Sequence, residues 1–337
     1  MKRRASALLV AALAAAVLTA CQGCGKVDVE QSAGAGDLGR ETSRDTVTQP
    51  EEKGPSQVSG KKTKESTMEE HQNISDTAIL VVSFGTSYND SRDVTIGAVE
   101  EAIARACPQY EVRRAFTAQT IIDILKKRDG LEIDNVTEAL DRAAADGIKN
   151  LVIQPTHLMD GFEYQDVMAE LEEYRDLFDQ ILVGAPLLTG EEDFKAVAEA
   201  ITADTRSFDD GETAIVFMGH GTEARSNQVY ERMQTTLAEE GFDHYYVGTV
   251  EAEPALDDVA RALEEKGTYK KVVLKPLMVV AGDHANNDMA GDEEDSWKTV
   301  LTQKGYEVEC VLEGLGQSEA IRDIYVDHVL EAVGGLR

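Results

Sequence analysis

Two histidines and a glutamate lie where three apolar, strand-like runs of the chain end. His220 sits in a Gly-His-Gly turn, Glu251 closes Gly-Thr-Val-Glu, and His284 closes Gly-Asp-His. Two imidazoles and a carboxylate suit first-row divalent ions such as cobalt, nickel, iron or zinc. Three protein ligands leave coordination positions open, as in reactive rather than structural metal sites. The residue types and their placement therefore predict one metal site.

Each of these residues also has a structural alternative. His220, after an apolar run, could be a hydrogen-bonded core histidine. Glu251 precedes Pro254, which suits a helix start, so its carboxylate could stabilise a helix N-terminus. His284 could bond the backbone of its own loop. The equivalent placement of all three residues favours the metal site.

The segments beside the three residues have predicted roles of their own. Gly219 and Gly221 are expected to let the backbone pass close to a bulky ligand. The loop over residues 282–291 is rich in small and polar residues and is expected to act as a lid. Within it, Asp283 or Asp288 is the candidate to orient the imidazole. The acidic run 292–295 is interpreted as the N-terminal charge cluster of a helix.

The elements that must position these residues alternate between strand and helix. Apolar runs predict strands over residues 78–82, 110–116, 150–155, 181–183, 214–218, 244–248, 271–275 and 306–311. Helical spacing lies between them, over residues 94–107, 121–127, 136–146, 164–178, 194–205, 228–240, 256–266, 292–303 and 319–333. This alternation predicts an α/β fold with mostly parallel sheets covered on both faces.

The pattern of the first four strands starts again in the last four. Residues 78–86 align with 214–222, residues 116–119 with 248–251, and residues 151–155 with 272–276. In this register three first-half residues occupy the ligand positions: Phe84 for His220, Gln119 for Glu251, and Glu163 for His284. We therefore predict two similar domains that face each other, with the ligands in the second. Their cleft, at the carboxyl ends of the strands, is the predicted ligand site.

Further side chains are candidates for contact with a ligand in that cleft. His157 follows a first-half strand and is the candidate for a substrate contact or a second base. Basic residues that could meet ligand carboxylates are Arg113, Arg114, Arg225 and Lys275. The other histidines lack such a context, so His71 is expected in solvent and His244 and His328 on the surface or in packing.

Composition excludes some classes of function. The 337 residues include 63 acidic and 33 basic ones, for a formal net charge of −30. Nucleic-acid binding through phosphate neutralisation needs a basic surface, so no nucleic-acid partner is expected. No glycine-rich phosphate-binding motif stands out, so no nucleotide is expected either. Four cysteines without a Cys-x-x-Cys pair do not predict a disulfide scaffold or a cysteine metal site, and Cys107 and Cys310 are expected to be buried or inert.

The N-terminal segment has the features of a lipoprotein export signal. Three basic residues at positions 2–4 precede an apolar stretch over 5–20, and Cys21 follows small residues. This pattern predicts a signal peptide over residues 1–20 and acylation of Cys21. Residues 21–75 are polar and predict a disordered tether. The protein should therefore contact a membrane only through its lipid anchor, on the periplasmic side, and Gln22 favours the outer membrane.

These features divide the chain into four predicted regions. The signal peptide occupies 1–20 and the tether 21–75. The N-terminal α/β half occupies 76–206, and the C-terminal half with the metal site occupies 207–337, with residues 207–211 forming the boundary loop.

The strand-end motifs resemble those of the CbiK-type anaerobic cobalt chelatase, a class II chelatase. In the second half they are Met218-Gly219-His220-Gly221-Thr222, Gly248-Thr249-Val250-Glu251 and the run over residues 276–291. In the first half they are Ser83-Phe84-Gly85-Thr86-Ser87 and Gln154-Pro155-Thr156-His157. The resemblance covers residues 78–333 and implies two flavodoxin-like domains related by the repeat.

The resemblance implies insertion of Co²⁺, with Fe²⁺ or Ni²⁺ as alternatives, into sirohydrochlorin in cobalamin synthesis. It implies that His220, Glu251 and His284 bind the metal and that the two histidines are catalytic. The candidates to hold the tetrapyrrole are Phe84, Gly85, Thr86, Ser87, His157 and Glu163. Two pyrrole N–H protons must leave as the metal enters, and His220 is a candidate base. A homo-oligomer is left open.

The export signal disagrees with the cytoplasmic setting of tetrapyrrole synthesis. An alternative function is therefore an extracytoplasmic lipoprotein that binds haem, a metal or a corrinoid for uptake or delivery. Multiple turnover of sirohydrochlorin and Co²⁺ would distinguish the enzyme from such a carrier.

Overall fold

The computed structural model describes residues 76–337. The predicted signal peptide, Cys21, the tether and His71 lie outside this range. Within it, no helix combines the length and the apolar character needed to cross a bilayer.

The first half contains a four-stranded parallel sheet in the order β2-β1-β3-β4. Its strands are β1 (Thr77–Ser83), β2 (Glu111–Phe116), β3 (Asn150–Pro155) and β4 (Gln180–Val183). Its helices are α1 (Asn89–Arg92), α2 (Ala98–Ala106), α3 (Gln119–Asp129), α4 (Val136–Ala145), α5 (Phe162–Tyr174) and α6 (Glu191–Thr205). A π-helical segment, Asp93–Gly97, joins α1 to α2, and a 3₁₀ turn, Arg175–Leu177, follows α5. Every residue of β1 is buried, as expected for a strand covered on both faces.

The second half repeats this topology in the order β6-β5-β7-β8. Its strands are β5 (Thr213–Gly219), β6 (Tyr245–Thr249), β7 (Lys271–Pro276) and β8 (Glu307–Cys310). Its helices are α7 (Gln228–Glu239), α8 (Leu256–Lys266), α9 (Trp297–Gln303) and α10 (Glu319–Val333), with 3₁₀ turns at Arg225–Asn227 and Leu315–Gln317 and a π-helical segment at Ala285–Met289. The identical strand order confirms the predicted fold class and the internal repeat.

Strand pairing corrects one equivalence in the predicted repeat. Ser83 pairs with Phe116 in the first sheet, and the equivalent Gly219 pairs with Thr249 in the second. The peptide N–H of Ala118 donates to the Phe84 carbonyl, as that of Glu251 donates to the His220 carbonyl. Ala118, not Gln119, therefore occupies the place of Glu251.

The other two equivalences are confirmed. In each half the third strand leads to a glycine whose carbonyl accepts the first hydrogen bond of a helical turn. Gln165 donates to Gly161 at 3.0 Å, and Asn286 donates to Gly282 at 3.1 Å. Glu163 thus occupies the place of His284, as predicted.

Two predicted elements differ from the structure around residues 282–303. The predicted loop contains a helical segment that includes the π-helical residues Ala285–Met289. The predicted helix over 292–303 begins only at Trp297, because Ser296 caps it by accepting from the Thr299 N–H. The acidic run precedes that helix in a turn, where Asp292 pairs with Lys298 at 2.7 Å.

The last helix crosses over to the first half. α10 packs against α2, β3 and β4, while α6 packs against α7 of the second half. Tyr325 on α10 is fully buried, and its hydroxyl donates to the Thr156 carbonyl at 3.0 Å. The His328 ring lies between the Ala185 carbonyl and the Asp193 carboxylate. His328 is therefore a packing residue, as predicted, and the two halves share one core.

Candidate metal centre

The second sheet brings the three predicted ligands together. His220 follows the central strand β5, Glu251 follows β6 on one side, and His284 follows β7 on the other. Because the strands are parallel, all three residues lie at the same edge of the sheet. One ligand atom from each lies within 4.8 Å of the others. The site predicted from the strand ends is thus assembled geometrically.

The three side chains form an open group. The imidazole rings of His220 and His284 lie 4.6 Å apart between centroids and are nearly perpendicular, at 89°. Nδ1 of His220 lies 3.9 Å from Oε2 of Glu251. The side chains are 46%, 55% and 30% exposed for His220, Glu251 and His284. A divalent ion can therefore bind all three and still present open positions to a second ligand.

Hydrogen bonds fix which nitrogen of each imidazole is free. Nδ1 of His220 donates to the Gly221 carbonyl at 2.7 Å, and Nδ1 of His284 donates to the Asp288 carboxylate at 2.8 Å. A carbonyl or carboxylate oxygen only accepts, so both Nδ1 atoms carry the proton. Both Nε2 atoms therefore keep a lone pair for a metal. Of the two predicted orienting carboxylates, Asp288 takes this role.

Packing and turn geometry require the two glycines beside His220. A Cβ atom at Gly219 would overlap the ring of Tyr230, which is buried. Gly221 has a φ of +86°, in the left-handed region that favours glycine. Passage of the backbone close to a ligand at these positions stays a prediction.

The helix-terminus alternative for Glu251 does not hold. α8 begins at Leu256, and its N-terminus is closed by Asp258, which accepts from the Ala255 N–H at 3.0 Å. Glu251 lies in the preceding turn, with its side chain 55% exposed. It is therefore free to act as a metal ligand.

Loops of the first half face the metal site and form a cleft with it. The Tyr88 hydroxyl donates to Asp283 at 3.3 Å, and the Ala281 N–H donates to Ser91 Oγ at 3.0 Å. Both bonds join the segment that follows β1 to the segment that carries His284. The opposing wall holds Phe84 and Glu163 at positions equivalent to those of the two histidines.

The predicted tetrapyrrole-binding residues that follow β1 differ in their exposure and in their contacts. The Phe84 side chain is 51% exposed. Gly85 has a φ of +99°, and a Cβ atom there would contact the Phe116 ring. Thr86 is buried and accepts from the Tyr88 N–H at 3.2 Å, while the Ser87 carbonyl accepts from Arg128. Phe84 thus presents an exposed side chain, whereas Gly85 and Thr86 shape the loop.

His157 lies at the end of β3 in an apolar environment. Its ring nitrogens are buried and have no hydrogen-bond partner among residues 76–337, and the Tyr164 ring lies edge-on at 6.5 Å between centroids. Burial lowers the pKa of His157 to about 4. The ring is therefore uncharged at neutral pH. Contact of His157 or the exposed Glu163 with substrate stays a prediction.

Three of the four basic candidates are held in ion pairs. Arg113 pairs with Glu111 and Asp146, Arg114 with Glu100, and Lys275 with Glu313. Arg225 differs because it is exposed in the turn that follows β5. It is the candidate best placed for a ligand carboxylate. His244, the remaining histidine of the second half, contacts the Tyr269 hydroxyl, as expected for a packing residue.

A cavity of about 740 Å³ lies beside the metal site rather than at it. It is lined by residues of both halves, including Tyr88, Arg128, Asp283 and Asn286, but by none of the three metal-ligand residues. The sequence did not predict the contact between Tyr88 and Asp283. The two residues lie 195 positions apart, so no sequence signal could have found this contact.

The fold and the site define a class of protein: two flavodoxin-like halves of the chelatase type, with an open metal site at one sheet edge. The model of the cobalt chelatase (CbiK) family matches residues 77–334, and the chain belongs to this family. The predicted family is thereby confirmed.

Two relatives match along most of their length. The sirohydrochlorin cobaltochelatase of Salmonella typhimurium is 39% identical over 256 residues, which is 76% of this chain and 96% of that protein. The sirohydrochlorin cobaltochelatase CbiKC of Nitratidesulfovibrio vulgaris is 33% identical over 273 residues, or 80% of this chain and 94% of that protein.

Two solved structures share the fold at lower identity. SirB from Bacillus subtilis with Fe³⁺ has a TM-score of 0.53 at 14% identity, covering 76% of this chain and 95% of that chain. CbiX, described as the terminal enzyme of siroheme biosynthesis in denitrifying bacteria, has a TM-score of 0.50 at 17% identity, covering 76% and 99%. At these identities the likeness supports the chelatase fold alone.

Proposed function

We propose that the protein is a chelatase that inserts Co²⁺ into sirohydrochlorin. The observation that carries the proposal is the open group of His220, Glu251 and His284, in which both imidazole Nε2 atoms are free for a metal. Membership of the cobalt chelatase (CbiK) family supports the reaction class. The names of the two curated relatives support sirohydrochlorin and cobalt as the substrates.

The three ligands hold the substrate metal before transfer. Two neutral imidazoles and one carboxylate partly offset the charge of a divalent ion and leave positions for pyrrole nitrogens. The macrocycle would lie between the metal and the first-half wall that holds Phe84 and Glu163. Each metal–ligand bond can then be replaced in turn by a metal–pyrrole bond.

The two histidines can also accept the protons that leave the macrocycle. Insertion of a divalent ion releases two N–H protons from the ring. When His220 or His284 gives up the metal, its Nε2 lone pair becomes free, and its Nδ1 proton is already held by Gly221 or Asp288. Each imidazole can therefore accept one proton in exchange for the metal. Two histidines match the two protons released.

We also propose that the reaction takes place outside the cytoplasm, on the periplasmic side of a membrane. The support comes from the sequence of residues 1–20 and from Cys21, which follow the plan of a lipoprotein signal. Labelling of the full-length protein with a radioactive fatty acid tests this, and Cys21→Ser should abolish the label. Label retained in that variant would refute the anchor.

A turnover assay tests the chelatase proposal directly. Purified protein with excess Co²⁺ and sirohydrochlorin should give many product equivalents, followed by the change in the absorption spectrum. His284→Ala should lower the rate by about 100-fold or more, because one metal ligand and one proton acceptor are lost. The matched control is His244→Ala, which removes a histidine that contacts Tyr269 outside the metal group. Binding of one equivalent without turnover would refute the proposal and favour a carrier lipoprotein.

A further inference from the structure

The two ends of the cleft are related by the internal repeat, but their side chains differ. Tyr88 and Ala224 are equivalent: each immediately precedes a helical turn and has extended backbone angles, with φ −82° and ψ 104° for Tyr88 and φ −68° and ψ 154° for Ala224. Asp283 and Phe162 are equivalent because each follows the glycine that accepts the first helical hydrogen bond. The same backbone geometry therefore places Tyr88 near Asp283 at one end and Ala224 near Phe162 at the other.

One end of the cleft is closed by polar contacts between the halves. The Tyr88 hydroxyl donates to Asp283 at 3.3 Å, and Asp283 also accepts from Asn287 at 2.8 Å. Next to this pair, Ser91 Oγ accepts from the Ala281 N–H at 3.0 Å. We call these residues the clasp. It ties the segment that carries His284 to the first half.

At the other end the equivalent pair of side chains cannot form such a hydrogen bond. A phenyl ring and a methyl group neither donate nor accept hydrogen bonds, so Phe162 and Ala224 cannot repeat the Tyr88–Asp283 bond. The loops do approach each other here, because a Cβ atom on Gly161 would lie 3.9 Å from Ser226 Oγ. That hydroxyl is buried and has no hydrogen-bond partner within the described part of the chain.

Phe162 is also exposed, next to a position equivalent to that of a metal ligand. Its side chain is 54% exposed, and it directly precedes Glu163, the residue at the position of His284. Phe84, at the position of His220, is 51% exposed on the same wall. Two large exposed apolar side chains opposite a metal site form a surface suited to the face of a planar macrocycle.

We infer that the tetrapyrrole enters and leaves by the end of the cleft between Phe162 and Ala224, and that the Phe162 ring contacts the macrocycle. The inference rests on the proposed function for the identity of the ligand. It makes Phe162 a determinant of macrocycle binding, with no part in binding the metal. The clasp is then the fixed end of the cleft.

Truncation of the ring tests the contact. Phe162→Ala should raise the KM for sirohydrochlorin about tenfold, because the apolar area it would bury is lost. The kcat and the affinity for Co²⁺ alone should stay within about twofold of the unchanged protein. The matched control is Leu177→Ala, since Leu177 is 59% exposed in the first half on the turn that follows α5. An unchanged KM in Phe162→Ala would overturn the inference.

Building a second clasp tests the path. The double variant Phe162→Asp with Ala224→Tyr places the clasp pair at the end that lacks these hydrogen bonds, whereas each single variant lacks one partner. The kcat/KM for sirohydrochlorin should fall further than the two single effects combined, with Co²⁺ affinity retained. Tyr88→Phe removes the bond at the fixed end. A rise in kcat/KM in that variant, with none of the expected loss in the double variant, would place the path at the clasp and refute the inference.

An equilibrium measurement separates this inference from the proposed function. Binding of metal-free sirohydrochlorin to the full protein is followed by quenching of its fluorescence, without Co²⁺. Weaker binding by Phe162→Ala, in a protein that shows no turnover, would support the contact and refute the chelatase proposal. Normal turnover with equal binding by both proteins would refute the contact alone. No binding by the unchanged protein would refute both.

Discussion

Replacing Asp288 tests how the metal ligand His284 is held. The Asp288 carboxylate accepts from His284 Nδ1 at 2.8 Å, which orients the ring and leaves Nε2 free for a metal. A hydrogen bond to a charged group contributes about 1.5–3 kcal/mol. The two side chains are 30% and 43% exposed, so solvent screening reduces the expected contribution to about 1–2 kcal/mol. Asp288→Ala should therefore weaken Co²⁺ binding by about 5- to 30-fold.

The assay is a titration with Co²⁺, read from the visible absorption bands of the bound ion. Asp288→Asn should lose less affinity than Asp288→Ala, because its amide oxygen can still accept from Nδ1. The matched control is Asp292→Asn, which removes the same charge nearby from a side chain paired with Lys298. This control separates a specific bond from the general attraction of an acidic surface for cations.

Equal Co²⁺ affinity in the unchanged protein and in Asp288→Ala would refute the reasoning. It would mean that His284 presents Nε2 without help from the carboxylate. An equal loss in Asp288→Ala and Asp292→Asn would also refute it, since net charge alone would then explain the effect.

Three further predictions concern stability. Gly219→Ala should lower the free energy of unfolding by about 3 kcal/mol, since its Cβ atom would overlap the buried Tyr230 ring; urea denaturation measures this, and an unchanged midpoint would contradict it. Burial lowers the pKa of His157 in the folded protein to about 4, whereas the pKa of histidine in the unfolded chain is about 6.5. The contribution of His157 to the free energy of unfolding is therefore constant above pH 6.5 and falls by up to about 3 kcal/mol as the pH drops to about 4. His157→Leu should flatten this pH dependence, and an equally steep decline in that variant would count against burial as its cause. Tyr325→Phe should cost about 1 kcal/mol through the lost hydrogen bond to a buried carbonyl, and a thermal unfolding scan that shows no change would exclude that contribution.

The sheet and the metal group could be predicted from the sequence because both follow from local patterns. Buried parallel strands are short continuous apolar runs, and the repeat indicated two similar sheets. Parallel strands also end at one sheet edge, so residues that follow them converge without any knowledge of loop geometry. For this reason the sequence could predict the metal group of His220, Glu251 and His284.

Details that depend on contacts across the fold could not be predicted. The equivalence of Glu251 with Ala118 is set by strand pairing, which a short gapped alignment misses by one residue. The need for glycine at 219 comes from the ring of Tyr230, on a helix that follows. The hydrogen bond between Tyr88 and Asp283 joins residues 195 positions apart, so no local sequence pattern predicts it.

The C-terminal helix has a consequence for the synthesis of the chain. Residues 319–333 are translated last, yet they cover strands β3 and β4 of the sheet whose residues are translated first. The part of that sheet formed by β3 and β4 therefore lacks one of its covering helices while the second half is made, and nascent chains with exposed apolar surface aggregate or need a chaperone. A stop codon before Glu319 would not yield an intact first domain. It would leave β3 and β4 without the helix that covers them.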